Sequence, residues 1–161
     1  MIIRKPVASD RQQLLGLCTE FHKKYDREAV LSTETLPFSE HKDLDKDLRA
    51  DLEDLFDENK FIVFVAEDGN ALTGFIAGKI NEYPEKVLDK EGFIDDWFIR
   101  EGYRSKGIGR LLYQALIREF KKRGCTHLAL DVFAENKLAI DYYHKLGFKD
   151  YTIVMKKRPV S

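Results

Sequence analysis

Apolar residues recur every three to four positions in four stretches of the chain and alternate or run together in several others, and these two periods divide it into helices and strands. Ile2 to Lys5 reads as a short strand limited by Pro6. Ser9 or Asp10 then caps a helix carrying Leu14, Leu15, Leu17, Cys18 and Phe21, which the pattern ends near Tyr25. Asp26 to Glu40 holds one proline and four Ser or Thr residues, keeps no period and reads as a loop. From His41 to Glu58 a narrow stripe of Leu44, Leu48, Leu52, Leu55 and Phe56 lies on a helix crowded with Asp43, Asp45, Asp47, Asp51, Glu53, Asp54 and Asp57. Lys60 to Glu67 and Ala71 to Ile80, joined through Asp68-Gly69-Asn70, form a hairpin. Gly74 and Gly78 in its second strand mark a bulge or a close approach to the backbone. Gly92 to Ile99 is the next strand, and Ile108 to Arg123 a helix burying Leu111, Leu112, Ala115, Leu116 and Phe120, stopped by Gly124. Thr126 to Phe133 then returns as a strand, so that a right-handed crossover makes a parallel pair. Asn136 caps a last helix through Lys145, with Ala139, Ile140, Tyr143 and Leu146 on one stripe and Gly147 at its end. Phe148 to Lys157, with Tyr151, Ile153 and Met155 alternating, reads as the last strand.

The junction between the strand ending at Ile99 and the helix beginning at Ile108 carries the strongest chemical signal. Gly107 and Gly109 lack a Cβ, so a ligand can approach the main chain closely, and the first N–H groups of the helix have no partner within it. With the helix dipole they make a cradle for phosphate, the alternative being a glycine turn that serves packing alone. A P-loop nucleotide enzyme is excluded, because the turn lacks the Gly-Lys-Ser or Gly-Lys-Thr ending that holds phosphate and magnesium.

Composition narrows the partner. At 161 residues, 43% hydrophobic and 12% aromatic, the chain suits one domain with one core. Its charges nearly cancel to a net −1, which argues against a nucleic-acid binder working through bulk positive charge. Cys18 and Cys125 form no CxxC, and His22, His41, His127 and His144 show no ligand spacing with them, so reduced thiols and no metal are expected. With neither a signal-peptide pattern nor an apolar run of membrane-spanning length, a cytoplasmic protein with no membrane partner is the default expectation. The acidic helix is either a solvated surface face or a rim that concentrates a cationic substrate beside a cleft.

Two patterns carry a family resemblance over nearly the whole chain. Arg104-Ser105-Lys106-Gly107-Ile108-Gly109 matches at each position a turn reading Arg or Gln, two residues, Gly, one residue, Gly or Ala. Asn136, Ala139, Tyr142-Tyr143 and Gly147-Phe148 match a second pattern at the end of the last helix. In both, the chain resembles the GNAT superfamily of N-acetyltransferases. The resemblance implies a single α/β (α+β) domain over 1–161, with a mixed, mostly antiparallel sheet, a splayed parallel strand pair and about four flanking helices. It implies acetyl coenzyme A lying in the gap of that pair, bound by main-chain groups around Phe98 and Ile99 and by the turn Arg104, Ser105, Lys106, Gly107, Ile108, Gly109 and Arg110. Asn136 would contact the cofactor arm and Tyr143 would sit near the thioester sulfur.

Acetyl transfer to an amine needs the free base, and an ammonium of pKa near 10.4 is deprotonated only about once in two to three thousand at pH 7, a deficit of roughly 4.6 kcal/mol. A carboxylate can relay the proton away. Asp95 aligns with the glutamate that polyamine-acetylating relatives carry and is the preferred base, with Asp96 on the opposite strand face and a water relay as alternatives. Tyr143 is the preferred acid for the departing thiolate, although a phenol near 10 protonating a thiolate near 8.5 works uphill by about 1.5 units. The expected function is transfer of acetyl to a primary amine, such as a polyamine or another small cationic amine. Protein lysine or N-terminal acetylation, and a non-catalytic acyl coenzyme A-binding module, are the alternatives. Relatives often form homodimers, but the sequence marks no interface.

Overall fold

The long apolar runs form one five-stranded sheet ordered as the chain runs: β1 (Ile2–Arg4), β2 (Ile62–Asp68), β3 (Ala71–Glu82), β4 (Lys90–Ile99) and β5 (His127–Leu130). All neighbours are antiparallel except β4 and β5, which run parallel after the crossover through α3 (Ile108–Lys122). The computed structural model describes residues 1–32 and 41–157, which fall into two compact units, Met1–Asp131 and Val132–Ser161. Besides α3, the first unit holds α1 (Arg11–Ser32) and α2 (Leu44–Leu55).

The helices α1 and α2 cover one face of the sheet. Leu14, Leu17 and Cys18 of α1 and Leu48, Leu52 and Leu55 of α2 pack with Val65, Phe75, Ala77 and Phe98 in one buried cluster. On the opposite face α3 brings Phe120, fully buried, against the backbone, where a Cβ on Gly78 or on Gly92 would come within 2.6 Å of its ring. The glycine signal in β3 therefore has a packing cause, and the register also shifts there, between Ala77 and Gly78. Removing the Phe120 ring would cost about 3–5 kcal/mol.

Arg4 of β1 anchors the start of α1. Its guanidinium meets Asp10 at 2.6 and 3.0 Å and Glu67 at 2.7 Å, while Asp10 also accepts from Val7 N at 2.7 Å. Arg4 holds the buried Asp10 carboxyl below the ordinary carboxylate range, so this group stabilises the fold above its unfolded pKa and the benefit is lost as pH falls through the lower folded value.

Three sequence expectations change. α1 continues to Ser32 rather than ending near Tyr25; residues 33–40 of the expected loop lie outside the described residues. Leu111 is exposed, and Ile108 takes its place in the buried stripe of α3. The stripe follows i, i+4, i+7 and i+8 from Ile108, which leaves Leu111 on its flank. No strand forms over Phe148 to Lys157: Ile153 and Met155 are 86% and 90% exposed, with no ladder partner among the described residues. Alternation marks a face, but a strand exists only through hydrogen bonds to a neighbour. The last helix, α4 (Lys137–Lys145), stands as expected and ends at Gly147, whose φ is +95°. No helix among the described residues is long and apolar enough to cross a membrane.

Candidate active site

The parallel pair is short. Four residue pairs join β4 to β5, from Glu91 with His127 to Ile94 with Leu130, and there β5 ends. At its first pair the contact is reinforced by His127 Nε2 and Glu91 Oε2 at 3.2 Å, with Asn81 Nδ2 donating to the other Glu91 oxygen at 3.0 Å. Beyond Ile94, β4 continues for five residues, four of them paired with β3, and among the described residues no strand pairs with their other edge.

Which groups that edge presents follows from the register. Arg100 N donates to Thr73 O at 2.9 Å, and antiparallel pairs alternate, so the N–H and C=O of Phe98 also turn toward β3. Those of Trp97 and Ile99 turn away from β3. Phe98 thus spends its main chain on the ladder and its side chain on the core. Sequence alignment of the strand cannot distinguish the two parities; only the ladder does.

After β4 the chain makes a 3-10 turn over Glu101–Tyr103 and enters α3 through Ser105, at φ +60°, and Gly107, at φ +78°. The first main-chain bond of the helix is from Leu111 N to Gly107 O at 3.1 Å. Among the described residues, no N–H from Ser105 to Arg110 donates a hydrogen bond. The row of donors anticipated at this turn is therefore open, and Ser105, Lys106 and Gly107 are exposed there. Gly107 is required by its positive φ. Gly109 is not required by the protein, since a Cβ there would lie 3.6 Å from Trp97 Nε1, an ordinary contact.

Side chains brace this turn more than they extend from it. Arg104 folds back, donating from Nε to Ile99 O at 3.0 Å. Arg100 clasps Glu20 of α1 at 2.7 Å and donates to Leu72 O at 3.0 Å, tying the end of β4 to the first helix. Trp97 stacks on Tyr113 of α3, ring centroids 5.4 Å apart and planes within 11°. Lys106 lies 5.0 Å over the Tyr103 ring, and Arg110 is exposed.

The two aspartates are rearranged by a bulge. Ala77 pairs with Asp96 and Gly78 with Ile94, so Asp95 is an extra residue on β4. A bulge breaks the alternation of faces. Gly92 lies against α3, whereas Phe98, six residues on, lies in the α1/α2 cluster. Asp95 and Asp96 consequently both face the α1/α2 side, not opposite sides as strict alternation predicts. Asp95 is bound to Lys79 Nζ at 2.8 Å, and Lys79 is held over the Phe93 and Phe61 rings. Asp96 makes no hydrogen bond among the described residues; burial above all, then repulsion from Asp95 and from Asp51 of α2, pushes its carboxyl up to about 7.

In the second unit, Asn136 caps α4, its side-chain oxygen accepting from Ala139 N at 3.2 Å. Tyr143 is half-buried between Tyr142 and Phe148, with ring centroids 6.2 Å away in each case. Burial raises the Tyr143 phenol above its ordinary value, which keeps it protonated but makes it a weaker acid.

Comparison with known proteins agrees with this fold. The chain spans about half the length of the curated relatives it matches. An uncharacterised N-acetyltransferase of Methanocaldococcus jannaschii is 35% identical over 98 residues, 61% of this chain and 42% of that one. The ribosomal protein bS18 alanine N-acetyltransferase of Escherichia coli is 47% identical over 75 residues, 47% of this chain and 50% of that one. Among solved structures, the BH1408 protein of Bacillus halodurans superimposes with TM-score 0.77 at 23% identity, covering 99% of this chain and all of the other. An aminoglycoside N-acetyltransferase, AAC(6')-Iy, holding a bisubstrate analogue of coenzyme A, gives 0.73 at 20% identity over 99% and 98% of the two chains. At these identities the structures establish the fold alone. The model of the acetyltransferase (GNAT) family matches residues 27–148, the span that contains both the open turn and the bulged strand, and this chain belongs to that family.

Proposed function

We propose that the protein transfers acetyl from acetyl coenzyme A to the primary amine of a small cationic molecule such as a polyamine. The observation that carries this reading is the run of open N–H groups from Ser105 to Arg110 just after β4, with the unpartnered carboxyl of Asp96 upstream on that strand. The turn residues Ser105, Lys106, Gly107, Ile108, Gly109 and Arg110 suit a pyrophosphate, which needs several donors and gains from the helix dipole. The edge of β4 beyond Ile94, with which no described strand pairs, suits an extended amide-bearing arm, which adds to it as a strand would. Bound there, acetyl coenzyme A would supply the activated acetyl group.

The amine nitrogen forms the new C–N bond as the C–S bond breaks, and its proton passes to a carboxylate. Asp96 fits that role better than Asp95. Asp95 is engaged by Lys79, whereas a carboxyl titrating about 7 is matched to accepting a proton at neutral pH. Tyr143 is assigned, on the family resemblance, to donate a hydrogen bond to the departing sulfur. Its raised pKa favours hydrogen bonding over full proton transfer. Asn136 retains its side-chain NH2 for the cofactor arm while its oxygen caps α4. Arg104 acts on the shape of the turn through Ile99 O.

The test is an amine panel with acetyl coenzyme A, scored by release of free thiol. Release with small polyamines or other cationic amines supports the reading. Release only with peptides would move the protein to lysine or N-terminal acetylation. Tight binding of acetyl coenzyme A without release under any amine would make it a binding module.

A further inference from the structure

The segment after α4 has the pattern of a strand and no ladder. Its root is fixed: Gly147 turns the chain at φ +95°, Phe148 N donates to Tyr143 O at 3.1 Å, and His144 Nε2 meets Asp150 Oδ1 at 2.7 Å. Beyond Asp150 the alternation continues in solvent, with Tyr151 99%, Ile153 86%, Val154 75% and Met155 90% exposed. Among the described residues, the main chain of 149–155 makes no hydrogen bond. Single exposed apolar residues are ordinary, but four large ones within five positions are not.

The strand β5 has a ladder on one side only. It stands last in the sheet order, and among the described residues no strand pairs with its outer edge. Leu128, Ala129 and Leu130 are only half-buried, whereas β2 and β3 bury most of their residues. His127-Leu128-Ala129-Leu130 carries no lysine or proline to blunt that edge. The opposite edge of the sheet, β1, offers less: it is three residues long, and Pro6 follows it closely.

We propose that Lys149 to Lys157 is an exchange arm, which adds as a strand to the outer edge of β5 in a second copy of this chain and receives that copy's arm in return. The proposal does not rest on the acetyl-transfer reading. A second copy fits because every chain carries both the arm and the acceptor edge, so one two-fold axis satisfies both and closes the pair. Burial of the four side chains removes roughly 400 Å² of apolar surface per arm. Two arms with the surfaces they cover come to about 1,600 Å², the size of a stable interface. Lys149 and the Lys156-Lys157 pair bracket the apolar run, which opposes open-ended stacking of arms.

The experiment measures mass by light scattering over a range of concentrations, and hydrogen exchange on the same samples, in the wild type and in the double variant Ile153→Asp, Met155→Asp. The wild type is expected to be a dimer in which the amides of 127–130 and 151–155 are protected at least about tenfold more than in the dilute monomer. In the double variant association should weaken at least about a hundredfold, since two carboxylates would be buried without partners, and both segments should lose protection together. Because Ile153 and Met155 are exposed in the single chain, the variant should keep the wild-type circular dichroism. Tyr151→Phe, which keeps the apolar surface, should remain dimeric. A wild type that stays monomeric overturns the proposal, and protection of 151–155 in that monomer would assign the arm to its own chain. A dimer that survives in the double variant, or one whose arm exchanges freely, overturns it by placing the interface elsewhere. Each of these results leaves acetyl transfer standing, since thiol release tests that separately.

Discussion

The turn before α3 and the bulge in β4 both carry polar groups that make no hydrogen bond among the described residues, but they are built from different materials. The turn works through the main chain: its donors are N–H groups, its geometry depends on Gly107, and its neighbouring side chains mostly brace it. The bulge works through side chains: it rotates Asp96 onto the α1/α2 face, and burial and nearby carboxylates set its proton affinity. A backbone site is local and survives most substitutions around it. A side-chain site depends on residues brought from distant parts of the chain, here Cys18, Asp51 and Lys79, and single changes can retune it.

Substitutions can separate the two. The largest effect is expected for Asp96→Asn, which should lower kcat at least about a hundredfold with little change in acetyl coenzyme A binding, whereas Asp95→Asn should cost far less. In the wild type, kcat/KM should rise with pH on a limb centred near 7, where Asp96 loses its proton. A flat profile between pH 6 and 8 would remove Asp96 from the mechanism. The same carboxyl should burden the fold. Its pKa is raised on folding, so the wild type loses stability as pH rises from about 4, the unfolded value, through about 7, the folded one. Asp96→Asn should abolish that slope, giving a higher Tm than the wild type at pH 8 and little difference at low pH.

Next in size is Gly109→Ala. Its Cβ meets only ordinary contact with Trp97, so the protein should melt normally while the KM for acetyl coenzyme A rises about tenfold, roughly 1.4 kcal/mol of lost binding. Tyr143→Phe should lower kcat by only about three- to tenfold, in keeping with a lost hydrogen bond of about 1 kcal/mol. Unchanged turnover would end its assignment. Gly107→Ala is the complement of Gly109→Ala: at φ +78° the added Cβ strains the backbone by about 1–2 kcal/mol, seen as a lowered Tm. If Gly109→Ala destabilised the fold and Gly107→Ala did not, the division between protein-imposed and ligand-imposed glycines would fail.

The turn was legible in the sequence because all its determinants lie within six residues: two glycines, a strand end and a helix start. The bulge was not, since nothing in Ile94-Asp95-Asp96-Trp97 distinguishes a regular strand from one with an inserted residue; β3 decides it by pairing Gly78 with Ile94. The same limit explains Phe98, whose apolar side chain was readable but whose main-chain direction was not. It explains Tyr151 to Met155 too, where alternation was readable but a ladder partner was absent among the described residues.

By itself, the order of residues determined the succession of helices and strands as far as α4, the glycine turn before α3 and most of the core stripes, because periodicity and backbone freedom are properties of neighbours. The fold alone decided which of the two aspartates is drawn in from solvent and which face of β4 they share. Those depend on register, burial and the charges that distant segments bring together, and none of these is written in any single stretch of chain.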